Sequence, residues 1–300
     1  MRYSYGKLTE NKLIVSNQVD TLHIYEVKNN ELLFIKEMKF NFGKDDYFRN
    51  FEYLESEDTL IIGQKNGIIQ FIDLTSEKIL KEIQLPLSND YYFGWNLDIL
   101  KLSNDNKWLT VGQTWYTAYP LNLSTLKSTE MSIPAQPLEI KYSFDNSYVS
   151  FIHGEQGGQG LIVYHQTENG DLIEIYKHWA ITACEFAKQQ NVIYHFGLKD
   201  DIGILKKINL TDSNTLEWEA LFNLIELGDE NVHNYGFGLN DLTLINNRLE
   251  FSINNKIIVL NESDGTVQEI YNNDNRTIQT LYNTKIKLRL TEYKIISEII

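Results

Sequence analysis

Three hundred residues, 42% of them apolar, 12% aromatic and 23% charged, suffice for a core that buries roughly 75% of the surface an unfolded chain exposes, which excludes disorder, collagen and coiled coil. With 27 Lys and Arg against 41 Asp and Glu the net charge is −14, a field that repels phosphate backbones and anionic lipid and attracts a basic protein. The single cysteine, Cys184, permits neither an internal disulfide nor a cysteine-based metal cluster and reads as a small buried residue.

From the start, MRYSYGKLTENK lacks the apolar segment of a signal peptide, and no later run approaches the ~18 apolar residues of a membrane helix. The expectation is a soluble, cytoplasmic product. Further along, periodicity of two dominates. The second unit is the cleanest: YFRNFEYLE, TLIIGQ, GIIQFIDLTSEK and ILKEIQLP read as four strands joined by turns. LIVYHQ (161 to 166) is another strand. EWEALFNLIEL (217 to 227) is the best candidate for an amphipathic helix, although its aromatic content also suits an outer strand.

A turn rich in Asn, Asp and Glu followed by an apolar strand recurs seven times, as LTENKLIV, LESEDTLII, LSNDNKWLTV, SFDNSYVSF, FAKQQNVIYHF, LINNRLEFSI and LYNTKIKLRL. The first apolar residues of those strands, Leu13, Leu60, Trp108, Tyr148, Val192, Leu249 and Ile286, are spaced by 47, 48, 40, 44, 57 and 37. A mean near ~45 residues is the size of a four-stranded blade. Four short strands cannot bury both faces alone, so each blade must pack on its neighbours, and a closed ring leaves only short edges. The sequence therefore predicts one all-β domain over residues 1–300, a seven-bladed β-propeller of four-stranded antiparallel blades, with six blades as the alternative. After IQTLYN and KIKLRLTE only YKIISEII remains. MRYSYGKLT either completes the last blade or forms the innermost strand of the first.

LSNDNKWLTVGQ and GIIQFIDLTSEKIL resemble the inner hairpin and third strand of WD40-like and related bacterial seven-bladed propellers. The Gly-His and Trp-Asp dipeptides of strict WD40 blades are absent. The resemblance implies a fold and a face for binding and carries over no catalytic residue.

No Gly-x-Ser-x-Gly elbow, His-Glu-x-x-His helix, Walker loop or calcium loop occurs. GEQGGQG (154 to 160) precedes a strand rather than a helix, so it reads as a hairpin connection and not as a phosphate cradle. The six histidines, His23, His153, His165, His178, His195 and His233, show no ligand spacing; His178, Glu185, His233 and Asp241 are the group a ring would be best able to gather round its axis. The expectation is no metal, no cofactor and no catalytic residue.

In a propeller, the connections between blades share one end with those joining second and third strands. Here those segments are acidic and aromatic: KDDYFRN, SNDYYFGWN, QTWYTAY, YKHWAIT, GLKDDIG and GDENVHNYGFG. Tyr47, Tyr91, Tyr92, Trp95, Trp115, Tyr116, Trp179 and Tyr235 would share a rim with Asp45, Asp46, Asp90, Asp200, Asp201, Asp229 and Glu230. Aromatics of this kind dominate interface hot spots, and acids around them select a basic partner. The reading is a non-enzymatic, monomeric interaction protein for a basic protein, one form of which is a bacterial immunity or inhibitor protein. The alternatives are a metal-dependent lactonase or esterase working at the central channel, and a small-molecule binder.

Overall fold

Asn and Asp accept a left-handed backbone and bond locally to nearby amides, so they set where this chain reverses. The computed structural model describes residues 3–17, 20–41, 51–64, 67–85, 97–113, 117–155, 158–188, 191–211, 214–227, 241–253, 256–272, 277–283, 286–291 and 294–299. Within them Ser103 and Ser143 build the same turn. Each hydroxyl donates to the aspartate two residues on (2.8 and 2.7 Å) and accepts the amide five residues on (2.9 Å in both). Asn106 and Asn146 supply the left-handed step in these turns, with φ of 58° and 62°.

The hairpins assemble into seven antiparallel sheets. Blade 1 comprises β1 (Tyr3–Leu8), β2 (Lys12–Asn17), β3 (Thr21–Lys28) and β4 (Glu31–Lys39); blade 2, β5 (Phe51–Leu54), β6 (Thr59–Gly63), β7 (Ile68–Asp73) and β8 (Ile79–Gln84). Blade 3 holds β9 (Leu97–Leu102), β10 (Trp108–Gln113), β11 (Thr117–Asn122) and β12 (Met131–Ser132), and blade 4 holds β13 (Gln136–Tyr142), β14 (Tyr148–Glu155), β15 (Gly158–Gln166) and β16 (Leu172–Trp179). Blade 5 is β17 (Ile181–Phe186), β18 (Val192–Lys199), β19 (Ile202–Asn209) and β20 (Thr215–Asn223). Blade 6 is β21 (Asp241–Ile245), β22 (Arg248–Ile253), β23 (Lys256–Asn261) and β24 (Val267–Asn272); blade 7 has β25 (Thr277–Tyr282), β26 (Ile286–Thr291) and β27 (Ile295–Ile299).

All seven repeat anchors fall at the first or second position of a blade's second strand, and the six-blade alternative is set aside. The segment read as either helix or outer strand is a strand: β20 pairs along β19 from Asn209↔Thr215 to Ile202↔Asn223. Pairing with β19 overrides its local helical periodicity. The named helical element among the described residues is a single 3-10 turn, Glu55–Glu57. GEQGGQG lies in the β14–β15 hairpin, with Glu155 opposite Gly158.

The sequence left ring closure open, and the structure decides it. Tyr3–Leu8 is the innermost strand of blade 1, and β1 packs directly on β25. Gly6 makes this approach possible, since a Cβ there would lie 2.9 Å from Leu281 Cδ1. Its amide donates to Gln279 Oε1 at 3.0 Å.

Between blades the described residues form six buried apolar clusters, one at each junction except that of blades 6 and 7. There Glu250 accepts from Lys287 at 2.8 and 3.1 Å and from Arg289 at 3.1 Å, and Thr280 donates to Asp241. Among the described residues this junction shows ion pairs without an apolar cluster, whereas junctions such as those of blades 1 and 2 or 4 and 5 have both.

Candidate functional site

The inner strands bring together charges that lie far apart in the chain. Lys7 Nζ meets Glu52 Oε2 at 2.5 Å, and Lys101 Nζ lies 3.7 Å from Glu52 Oε1, so one carboxylate links blades 1, 2 and 3. Lys141 lies 3.1 Å from Glu185 and 3.5 Å from Glu139, donates to Cys184 O at 2.7 Å and reaches Leu242 O of blade 6 at 3.5 Å. A blade 4 ammonium that touches blade 6 sits near the axis.

Electrostatics follow from depth inside the ring. Burial raises the Glu139 carboxyl above its ordinary value, and burial likewise raises Asp241 although Thr280 and Lys141 oppose it. Lys101 is lowered by burial despite Glu52. Burial also works against the charge on Lys141, yet Glu139 and Glu185 together hold that ammonium well above the usual range. Three carboxylates thus converge on an ammonium, and the positive charge they hold is the protein's own.

Of the group considered for a metal, Glu185 and Asp241 do reach the channel, both within the field of Lys141. His178 does not: it sits on outer strand β16 and packs against His195, ring centroids 5.2 Å apart. His233 lies outside the described residues. Among the described residues no set of three or more His, Cys, Asp or Glu is placed to hold a metal ion. Cys184 is buried, its thiol pushed up to about 12 by burial, which leaves it inert.

Sequence reasoning missed the channel charges, although a signal was present. Lys7, Glu52, Lys101, Lys141, Glu185 and Asp241 stand six to eight residues ahead of Leu13, Leu60, Trp108, Tyr148, Val192 and Leu249. Each keeps step with the repeat.

At the loop end of the ring, Trp179, Asp200 and Asp201 are the expected partner-binding residues that are described. Trp179 ends β16 and is 55% exposed, edge-on to the His153 ring (centroids 5.5 Å apart), with Lys177 Nζ 5.6 Å from its own ring centre. Ala180 then turns the chain with φ 59°, donating to Gln159 O at 2.7 Å and accepting from Leu198 N at 2.9 Å. Leu198 belongs to the strand that leads into the Asp200-Asp201 turn, so Trp179 and the two aspartates flank one end of blade 5. Asp200 is exposed with φ 52°, and Asp201 is half-buried.

Asp45, Asp46, Tyr47, Asp90, Tyr91, Tyr92, Trp95, Trp115, Tyr116, Asp229, Glu230 and Tyr235 lie outside the described residues. The strand ends that bound them are described: β4 and β5, β8 and β9, β10 and β11, and β20 and β21. In antiparallel blades running from inner to outer strand, those ends lie on the same side of the ring as Trp179 and Asp200.

His195 is a further buried polar group between blades 4 and 5. Its Nε2 pairs with Tyr176 OH at 2.8 Å, while Nδ1 has no hydrogen-bond partner. Burial first, then His178 and Lys206, lower its pKa to about 3. An unfolded histidine takes up its proton near pH 6.5, so below that value the unfolded chain binds more protons. Stability is therefore expected to fall as pH drops from about 6.5 toward 3, by up to about 1.4 kcal/mol per unit from this residue. His195→Gln should flatten that slope in urea titrations at pH 4 to 7, and equal slopes for both proteins would contradict it.

No helix among the described residues is long and apolar enough to cross a membrane. The fold and its site define the class: a seven-bladed β-propeller with an ion-paired channel and a loop-bearing end. No family model and no curated protein matches the chain.

Proposed function

We propose that this propeller is an interaction protein that binds a basic protein partner on the end of the ring where blades are joined to one another. The observation that supports it most is that the described strand ends flanking all six acidic, aromatic segments share one side of a rigid ring. Net charge of −14 supplies long-range attraction for a basic partner, and Trp179, exposed beside Lys177 and His153, is an anchor of the kind central to interfaces. Within that class, kinship with bacterial WD40-like propellers and a cytoplasmic, monomeric immunity or inhibitor role that caps a basic toxin or nuclease fit the same chemistry.

The test is recovery of a basic protein from native lysate at low and high salt, followed by binding measurements with the purified pair. Trp179→Ala is expected to weaken binding by about 30-fold, the equivalent of a 2 kcal/mol hot spot. Asp200→Asn with Asp201→Asn, which keep the left-handed turn, should slow association and weaken its salt dependence, and Tyr91→Ala, Tyr92→Ala and Trp95→Ala together should abolish binding. Circular dichroism melts should stay unchanged. Binding that survives all three sets would overturn the proposal.

A further inference from the structure

The channel charges do not pair off completely. Among the described residues Lys7 is matched to Glu52 at 2.5 Å and Lys141 to Glu185 at 3.1 Å, which leaves Lys101, Glu139 and Asp241 without a hydrogen-bonded partner of opposite charge. Lys101 Nζ comes no nearer to a carboxylate than 3.7 Å, at Glu52 Oε1, and that buried oxygen has no hydrogen-bond partner of its own. The cation beside Glu139, Lys141 at 3.5 Å, directs its three N–H groups at Cys184 O, Glu185 and Leu242 O. Asp241 accepts from Thr280 and Thr243, both neutral. A charge inside a protein that lacks its donor or acceptor is costly, and a ligand that supplies the missing partner recovers the cost.

Solvent reaches these groups. Lys101 and Glu139 are 28% and 29% exposed and Asp241 is half-buried, although Lys141 among them spans from blade 4 to blade 6. Their exposure therefore opens on the channel. They also have an order, because they stand on the inner strands of blades 3, 4 and 6. Lys101 and Glu139 lie in one another's field, as do Glu139 and Asp241, and Lys141 touches both Glu139 and the carbonyl next to Asp241. From blade 3 onward the unmatched charges run positive, negative, negative. A complementary molecule runs carboxylate, ammonium, cation, which is the order of groups along a dibasic α-amino acid.

We propose that the central channel binds one dibasic α-amino acid, with its carboxylate on Lys101, its α-ammonium on Glu139 and its side-chain cation on Asp241. The balance of charge agrees. Three ammoniums, Lys7, Lys101 and Lys141, stand against four carboxylates, Glu52, Glu139, Glu185 and Asp241, and a dibasic amino acid brings the one positive charge that is wanting. A neutral amino acid would leave Asp241 unmet, and a diamine would leave Lys101 unmet. This site is on the axis and is separate from the loop end.

The probe is L-lysine, titrated calorimetrically into the purified protein beside three analogues that each lack one group: cadaverine without the carboxylate, ε-aminocaproate without the α-ammonium and norleucine without the side-chain cation. Lysine should bind one to one, and each analogue should bind at least about tenfold more weakly, since each forfeits one charge-assisted hydrogen bond. Lys101→Met should remove the preference for lysine over cadaverine, and Glu139→Gln the preference over ε-aminocaproate. The analogue series is read on the unaltered protein and so decides even where a variant fails to fold. Trp179→Ala, which tests the loop end, should leave lysine binding intact. Cadaverine binding as tightly as lysine would overturn the proposal. So would an absence of binding by lysine, ornithine and arginine at millimolar concentration, or a lysine affinity unchanged in folded Lys101→Met and Glu139→Gln proteins.

Discussion

Replacing Glu250 by alanine is expected to lower the unfolding free energy by about 3–5 kcal/mol, the cost of removing one partner from a buried ion pair. Glu250 faces blade 7, where Lys287 and Arg289 are 8% and 6% exposed and both direct their charge at its carboxylate. Alanine would leave two cations in a junction where the described residues form no apolar cluster. At about 2 cal/mol/K per residue of unfolding entropy, a chain of this length should melt about 5–8 °C lower. Replacing all three ions together, Glu250→Leu with Lys287→Met and Arg289→Leu, should recover most of the loss, because well-packed apolar groups often match a buried ion network. Scanning calorimetry of the single and triple variants decides it. A single variant that melts with the parent would show that the junction does not depend on these charges.

Phe251→Ala, one residue further along β22, should cost about 3–5 kcal/mol by a different mechanism. Its side chain points the opposite way, into the apolar junction of blades 5 and 6, with its ring centroid 4.0 Å from Phe196 and 6.4 Å from Phe222. A Cβ on Gly203 would lie 2.6 Å from the Phe196 ring, so the aromatic stack already fills its space and cannot collapse into the hole alanine leaves. Phe251→Leu should cost about 1 kcal/mol, since most of the volume remains. Urea titration should show the midpoint falling at unchanged slope, the sign of lost stability without a change in exposed surface. A loss under 1 kcal/mol for the alanine variant would mean that the junction repacks freely.

Glu250 and Phe251 also show what periodicity carries. Alternation along RLEFSI is readable as two faces, but which face meets ions and which meets aromatics depends on Lys287 and Arg289 of blade 7, 37 and 39 positions after Glu250, and on Phe196 and Phe222 of blade 5, 55 and 29 positions before Phe251. The channel charges are readable in principle, since they stand six to eight residues ahead of the repeat anchors. The loop residues were chosen from composition, and Trp179, Asp200 and Asp201 do flank one end of blade 5. His178 stands on the fourth strand, at the rim and against His195, because a strand's place within its blade is not marked by its own composition.

By itself the sequence determined the strands, the seven turns that divide them and the closed ring that repeats of this length require, because alternation, Asn and Asp turn chemistry and spacing are local properties. Only the tertiary structure decided how the ring closes, that Glu250 joins blades 6 and 7 through Lys287 and Arg289, and that Lys141 stands among three carboxylates near the axis. Each of these depends on which distant strands become neighbours, and neighbourhood is fixed by packing between blades.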